Sequence, residues 1–366
     1  MRIVFWCVNV EGNGYYRCIY PGKAISDRGH HVLVTDFVDS VDDQGMPTYR
    51  VPDLSFDVYV FQLPQREFQL EYLRGARRNG KVTVVEIDDH YHSIPYYNPA
   101  RHAFERGRSD QLSYMEKCMR ECDAITVTSP ELAELYSTFN QNIFSLPNLV
   151  NLEDPSWDVE REPGNKDEVV IGWAGSVSHD GDFGGVTGVL EQISRRYPQT
   201  RFIIGGSEKV FEQLKEIPSE RKEYVPWVEF REYPKLLARF DIGLVPLADN
   251  RFNHCKSELK GLEYSRLGIP FLASSLPPYR RLVTDGDNGF LCERNRDWVT
   301  RLSRLIESPE LRERMGRRAR EVAATRDISQ FAVLWEHVFL TLMRQKMLEG
   351  VISSGKKNQE PDASNN

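Results

Sequence analysis

One pattern, run through twice, constrains this chain most. Short apolar runs follow one another in the first half: "RIVFWCVNV", "HHVLVTDF", "FDVYVFQL", "KVTVVEID" and "DAITVTS", most with helix-compatible sequence between them. Strands that are apolar on nearly every residue are buried on both faces, which requires a parallel sheet covered by helices on either side. The rhythm breaks in the polar, proline-bearing stretch 147–168 and then restarts with "EVVIGWAG", "TRFIIGGS", "EYVPWVEF", "FDIGLVPL", "GIPFLAS" and "NGFLCE". The expected fold is therefore α/β, with two Rossmann-like, doubly wound domains. At 366 residues the chain is too long for one ordinary core. The expected boundaries are an N-terminal domain over 1–150, a linker over 151–168, a C-terminal domain over 169–328, a helix over 329–349 and a disordered polar tail over 350–366. Two such domains leave a cleft with the carboxyl ends of both sheets turned towards it, where ligands of open α/β sheets bind.

Composition narrows the class. No run approaches the roughly 18 apolar residues of a membrane helix, and the opening "MRIVFWCVNV" reads as a first strand rather than a leader. The six cysteines form no CxxC pair, so a reduced, cytoplasmic location is expected. A net charge of −7 argues against a protein that coats nucleic acid. The arginine-rich run from Arg294 to Arg320 is interleaved with acids. It reads as a solvated helix surface or as a contact for a membrane surface or polyanion.

Three charged residues stand out in "KSELKGLEYSRLGIPFLASS". On a helix, Lys256, Lys260 and Glu263 fall at i, i+4 and i+7 on one face. Two ammonium groups suit a diphosphate, and a carboxylate one turn on can accept both hydroxyl protons of a ribose. The same charges could equally form a solvated helix face with a weak ion pair. Each half also opens with a buried strand running into a glycine-bearing loop. In "EGNGYYR", Gly12 and Gly14 would let backbone N–H groups approach a phosphate or sugar, or would simply turn the chain. Tyr15, Tyr16 and Arg17 follow as candidates for the acceptor side, although Arg17 could serve only to cap local structure. In "EIDDHYHSIPYYNPAR", Asp88, Asp89 and His90 stand at a strand's carboxyl edge. They could orient hydroxyls, act as a base on an acceptor, or cap a turn. Tyr96, Tyr97 and Arg101 suit sugar stacking, a lipid phosphate or an exposed base, or belong to an ordinary amphipathic helix.

The run from Glu263 through Gly268-Ile269-Pro270 and Ala273-Ser274-Ser275 to "DGDNGFL" (285–291) resembles the donor-binding region of GT-B glycosyltransferases, especially the retaining group classed as family 4. "VVIGWAGS" is similar to that family's phosphate-loop strand, which adds Gly175 and Ser176, and "VPWVEFREYP" to the segment that holds the nucleobase. Two features depart: the first of the family's two glutamates, eight apart, falls on Cys255, and the arginine and lysine that usually follow the phosphate-loop glycine are missing from "GSVSHDGDFGG", so that Lys256 and Lys260 would take over the diphosphate charge with His179 or loop N–H groups assisting. The resemblance implies a GT-B fold whose two domains face each other across a cleft. It also implies transfer of a sugar from a nucleotide-sugar to an unidentified acceptor, a glycan or lipid-linked glycan, with retention of configuration. No metal and no cofactor are expected, the nucleotide-sugar being a co-substrate, and neither is a stable protein partner. The donor side would comprise Gly12, Gly14, Gly175, Ser176, Lys256, Lys260 and Glu263, with Asp88, Asp89 and His90 catalytic. Alternatives that share the nucleotide site are a sugar-nucleotide epimerase, a non-catalytic nucleotide-sugar binding protein, and an enzyme that glycosylates a hydroxylated base of modified DNA. Contact with a membrane surface is a further possibility of the same pattern.

Overall fold

The computed structural model describes residues 1–36, 38–41, 47–49, 53–105, 107–160 and 168–357. Their contacts separate into two units. The first comprises Met1–Asp88, Asp110–Leu146 and the chain from Phe331; the second comprises Asp89–Ser109 and Pro147–Gln330.

The first unit is built on a six-stranded parallel sheet. Its strands are β1 (Arg2–Cys7), β2 (His31–Asp36), β3 (Val58–Gln62), β4 (Val82–Ile87), β5 (Ala124–Val127) and β6 (Ile143–Ser145), in the order β2-β1-β3-β4-β5-β6. Every residue of β3, β4 and β5 is buried, as near-continuous apolar runs require of strands covered on both faces. The chain steps outward from β1 to β2 and then returns to the other side of β1. That reversal puts the loop after β1 at a topological switch point, outside the carboxyl ends of the strands.

The second unit repeats the design with β7 (Val169–Ala174), β8 (Thr200–Gly205), β9 (Lys222–Val225), β10 (Ile242–Val245), β11 (Phe271–Ser274) and β12 (Phe290–Cys292). All pairs are parallel and the order is β9-β8-β7-β10-β11-β12. Here the direction reverses beside β7, so the loop that begins at Gly175 occupies the switch point. Gly172 of β7 lies under the ring of Phe240, where an added Cβ would sit 2.1–2.3 Å from ring carbons. Gly172→Ala is therefore expected to destabilise the second unit by at least ~1–3 kcal/mol, read as a lower urea midpoint at unchanged slope.

Three expected boundaries are corrected. Residues 89–109 pack with the second unit, not with the N-terminal domain, because Tyr97, Asp89 and His90 are all held by second-unit side chains. The described part of the expected linker belongs to the second unit as well. Val150 bridges to Asp327, and Trp157, 4% exposed, is buried beside Phe230, Tyr233 and Arg266. Residues 161–167 lie outside the described residues. The last helix runs Ile328–Lys357, past the expected end at 349, and from Phe331 it groups with the first unit, where Trp335 and Phe339 pack edge-on against Phe5 of β1. Of the expected tail, 358–366 lie outside the described residues. Among the described residues no helix is long and apolar enough to cross a membrane.

Candidate functional site

The loop after β7 has a backbone only glycines permit. A Cβ on Gly175 would lie 2.6 Å from the Trp173 ring. Gly206, at φ +87°, ends β8 so close that its Cβ would meet the Gly175 carbonyl at 2.4 Å. The Gly175 amide donates to the Gly205 carbonyl at 3.0 Å and is thus committed to the sheet. Ser176 follows, its hydroxyl 2.6 Å from that of Ser178.

The charged trio is not on one helix. Asn250 caps a single turn, Arg251–His254, by accepting from the Asn253 amide at 2.9 Å, and the next helix starts only at Leu259. Lys256 lies in the connection; Lys260 and Glu263 share the helix Leu259–Arg266. The charge of Lys256 nevertheless still acts on Lys260. Lys256 Nζ lies 3.4 Å from the Asp89 carboxylate and 4.6 Å over the Phe252 ring. Lys260 Nζ donates to the Ala174 carbonyl, directly before the glycine loop, and to the Tyr233 hydroxyl at 3.3 Å. Tyr233 in turn donates to Glu263 Oε2 at 3.1 Å. Burial lowers the Lys260 pKa, the Glu263 carboxylate draws it back up, and Lys256 adds to the lowering. Burial and then the charge of Glu263 push the Tyr233 phenol well above its ordinary value.

Beside the lysines stands a carboxylate that sequence reading passed over. Asp182, 3% exposed, accepts from Tyr97 OH at 2.7 Å, Asn253 Nδ2 at 2.6 Å and the Ala248 amide at 3.1 Å, and its Oδ2 lies 2.9 Å from His179 Nδ1. Burial alone would raise its carboxyl, but His179 and these donors hold it below the usual carboxylate range. The only signal in the sequence is a histidine three residues before an aspartate in "SHDGDFGG". Tyr97 is thereby fixed by the site, while Tyr96 is 84% exposed and Arg101 is exposed, pairing at 4.0 Å with Glu105. His90, 4% exposed, places Nδ1 3.9 Å from Cys255 Sγ, and burial keeps its imidazole below the ordinary value.

In the first unit the loop after β1 leads into a short helix Gly12–Gly14 and then a π-helical turn, Tyr15–Ile19, a form that recurs at functional sites. A Cβ on Gly14 would overlap the Asn9 carbonyl at 1.9 Å, whereas Gly12 faces open space. Tyr15 is half-buried. Tyr16 and Arg17 are buried within the unit, which corrects their expected acceptor-side position. Tyr16 packs edge-on against Tyr20. Arg17, 1% exposed, makes a forked pair with Glu86 at 2.7 and 3.0 Å and donates to the Leu146 carbonyl. Asp88 closes the unit, its carbonyl accepting from Thr128 at 3.1 Å. At the end of β3, Leu63 adopts φ +46° beside the buried Gln62, whose Oε1 accepts from the Val8 amide of the β1 loop. Such strain at a strand end is typical of ligand sites.

Residues 158–322 match the family model of the glycosyl transferases group 1. Solved structures share the fold over almost the whole chain. Sucrose-phosphate synthase of Thermosynechococcus elongatus is 14% identical, with 97% of this chain and 100% of that one covered and a TM-score of 0.61. Anabaena HepE, solved with UDP-glucose, is 15% identical with the same coverage and a TM-score of 0.62. The catalytic domain of starch synthase IV from Arabidopsis thaliana, bound to ADP and acarbose, is 12% identical, with 94% and 99% covered and a TM-score of 0.62. No curated protein matches the chain.

Proposed function

We propose that this chain, a glycosyltransferase with the GT-B fold and a glycosyl transferases group 1 domain, moves a sugar from a nucleotide-sugar onto a glycan or lipid-linked glycan. One observation carries the donor side. Lys260 sets its ammonium on the Ala174 carbonyl, directly before the glycine-hinged loop at the switch point of the second sheet and within the matched domain, where the charge of Lys256 also acts on it. As the glycosidic bond to the diphosphate breaks, negative charge builds on the leaving oxygens. Ammonium groups already in place stabilise it without further reorganisation. Lys260 has three N–H donors and its two bonds to Ala174 and Tyr233 leave one for a phosphate oxygen. The Ser176 amide and hydroxyl supply further donors, since the Gly175 amide is committed. Glu263, steadied by Tyr233, takes the ribose hydroxyls. Asp89 and His90, carried with the donor unit, face the sugar. The reaction proceeds with retention of configuration and needs neither a metal ion nor another cofactor, because the lysines supply the positive charge.

Turnover separates this reading from its relatives. Release of nucleoside diphosphate should require an acceptor and be unaffected by EDTA. Conversion of the donor in the absence of any acceptor would instead mark an epimerase, and donor binding without turnover a non-catalytic binding protein.

A further inference from the structure

We infer that Asp182 is a positioning residue that fixes the imidazole of His179 beside the lysine pair, and that His179 takes up a proton when a nucleotide-sugar diphosphate binds there. The inference rests on the donor-site reading proposed above and adds to it a group and a proton.

The geometry carries it. Asp182 Oδ2 engages His179 Nδ1 at 2.9 Å, so the neutral ring carries its proton on Nδ1 and its lone pair on Nε2. The carboxylate cannot swing away, because its Oδ1 accepts from three segments: Tyr97, the Ala248 amide after β10, and Asn253. Gly181, between the two residues, lets the Tyr97 ring lie against the turn; a Cβ there would sit 2.3 Å from it. The Trp173 ring closes another side, edge-on at 6.5 Å.

The groups facing the imidazole set its charge. Asp182 favours the charged form. Burial opposes it most strongly, and Lys256 and Lys260 oppose it too. Asp180, the neighbouring acid, accepts from the Ser207 hydroxyl at 2.6 Å. The net effect lowers the pKa, so the free protein holds His179 neutral at pH 7. A bound diphosphate cancels the lysine charges and adds negative charge of its own, reversing that balance. The proton comes from solvent onto Nε2, which then donates to a phosphate oxygen as a third cationic contact. A pKa higher in the complex than in the free protein makes affinity greatest below the free value, and that gain is lost as pH rises through the bound value.

The test uses the full chain titrated calorimetrically with UDP-glucose, ADP-glucose and GDP-mannose, whose diphosphates do not titrate near neutrality. Two buffers of different ionisation enthalpy at pH 7 give the number of protons taken up. The expected result is uptake of a fraction of a proton and a Kd that weakens by on the order of tenfold from pH 6 to pH 8. His179→Gln abolishes both while still binding through the lysines. Asp182→Asn diminishes uptake, whereas Tyr97→Phe, which leaves the His179–Asp182 bond in place, retains it. Binding by the wild-type chain without uptake and with a flat pH profile overturns the inference and leaves the donor site standing. Absence of binding by all three ligands overturns the donor-site reading and this inference with it.

Discussion

Replacing Arg17 by alanine is expected to destabilise the first unit by about 3–5 kcal/mol, without Arg17 ever touching a substrate. The guanidinium is 1% exposed and the Glu86 side chain 0% exposed. Removing the cation would leave a carboxylate in the interior, still accepting from the Thr126 hydroxyl but without its counter-charge. It would also free the Leu146 carbonyl and take the guanidinium from the face of Trp335, 5.2 Å away. Burial already raises the Glu86 pKa despite its partner, so the unpaired acid would take up a proton rather than stay charged. The readout is thermal unfolding, with a fall of roughly 10 °C for a unit of this size. A variant that melted like the wild-type chain and lost only acceptor affinity would return Arg17 to the acceptor side.

Lys260→Met should do the reverse, leaving the fold intact and lowering kcat/KM by about 10²–10³, the scale of losing one preorganised charge donor to a leaving group. The ammonium is costly to the free protein, since burial and the neighbouring Lys256 both work against its charge. Methionine has a side chain of similar length without that charge, so stability is expected to stay level or rise. Such an exchange of stability for activity marks a site residue. Arginine is not a conservative replacement here, because a planar fork cannot meet Ala174, Tyr233 and a phosphate as a compact ammonium does. Equal kcat/KM for Lys260→Met and wild type would mean that this lysine serves the β7 loop alone.

Both sheets were legible from the apolar runs, because a strand buried on two faces cannot hide its composition. Both switch-point loops were legible too, since glycines there answer to local sterics. The charged trio was legible as a cluster but not as a helix: the Asn250 cap and single turn before Lys256 are local events that override the i, i+4, i+7 spacing. Arg17 was misread because burial of a cation depends on Glu86, sixty-nine residues later in the chain. Asp182 was missed for the same reason. Its donors come from Tyr97, Ala248 and Asn253, which no spacing rule connects. The return of 89–109 to the second unit is likewise set by tertiary contacts.

The most direct test of the donor site is thermal stabilisation by a panel of UDP-, ADP-, GDP-, dTDP- and CDP-sugars, run on the wild-type chain, Lys260→Ala and Glu263→Ala in parallel. The account predicts a shift with one nucleotide family that disappears in both variants. No shift with any nucleotide at millimolar concentration, or a shift that both variants retain, would contradict it.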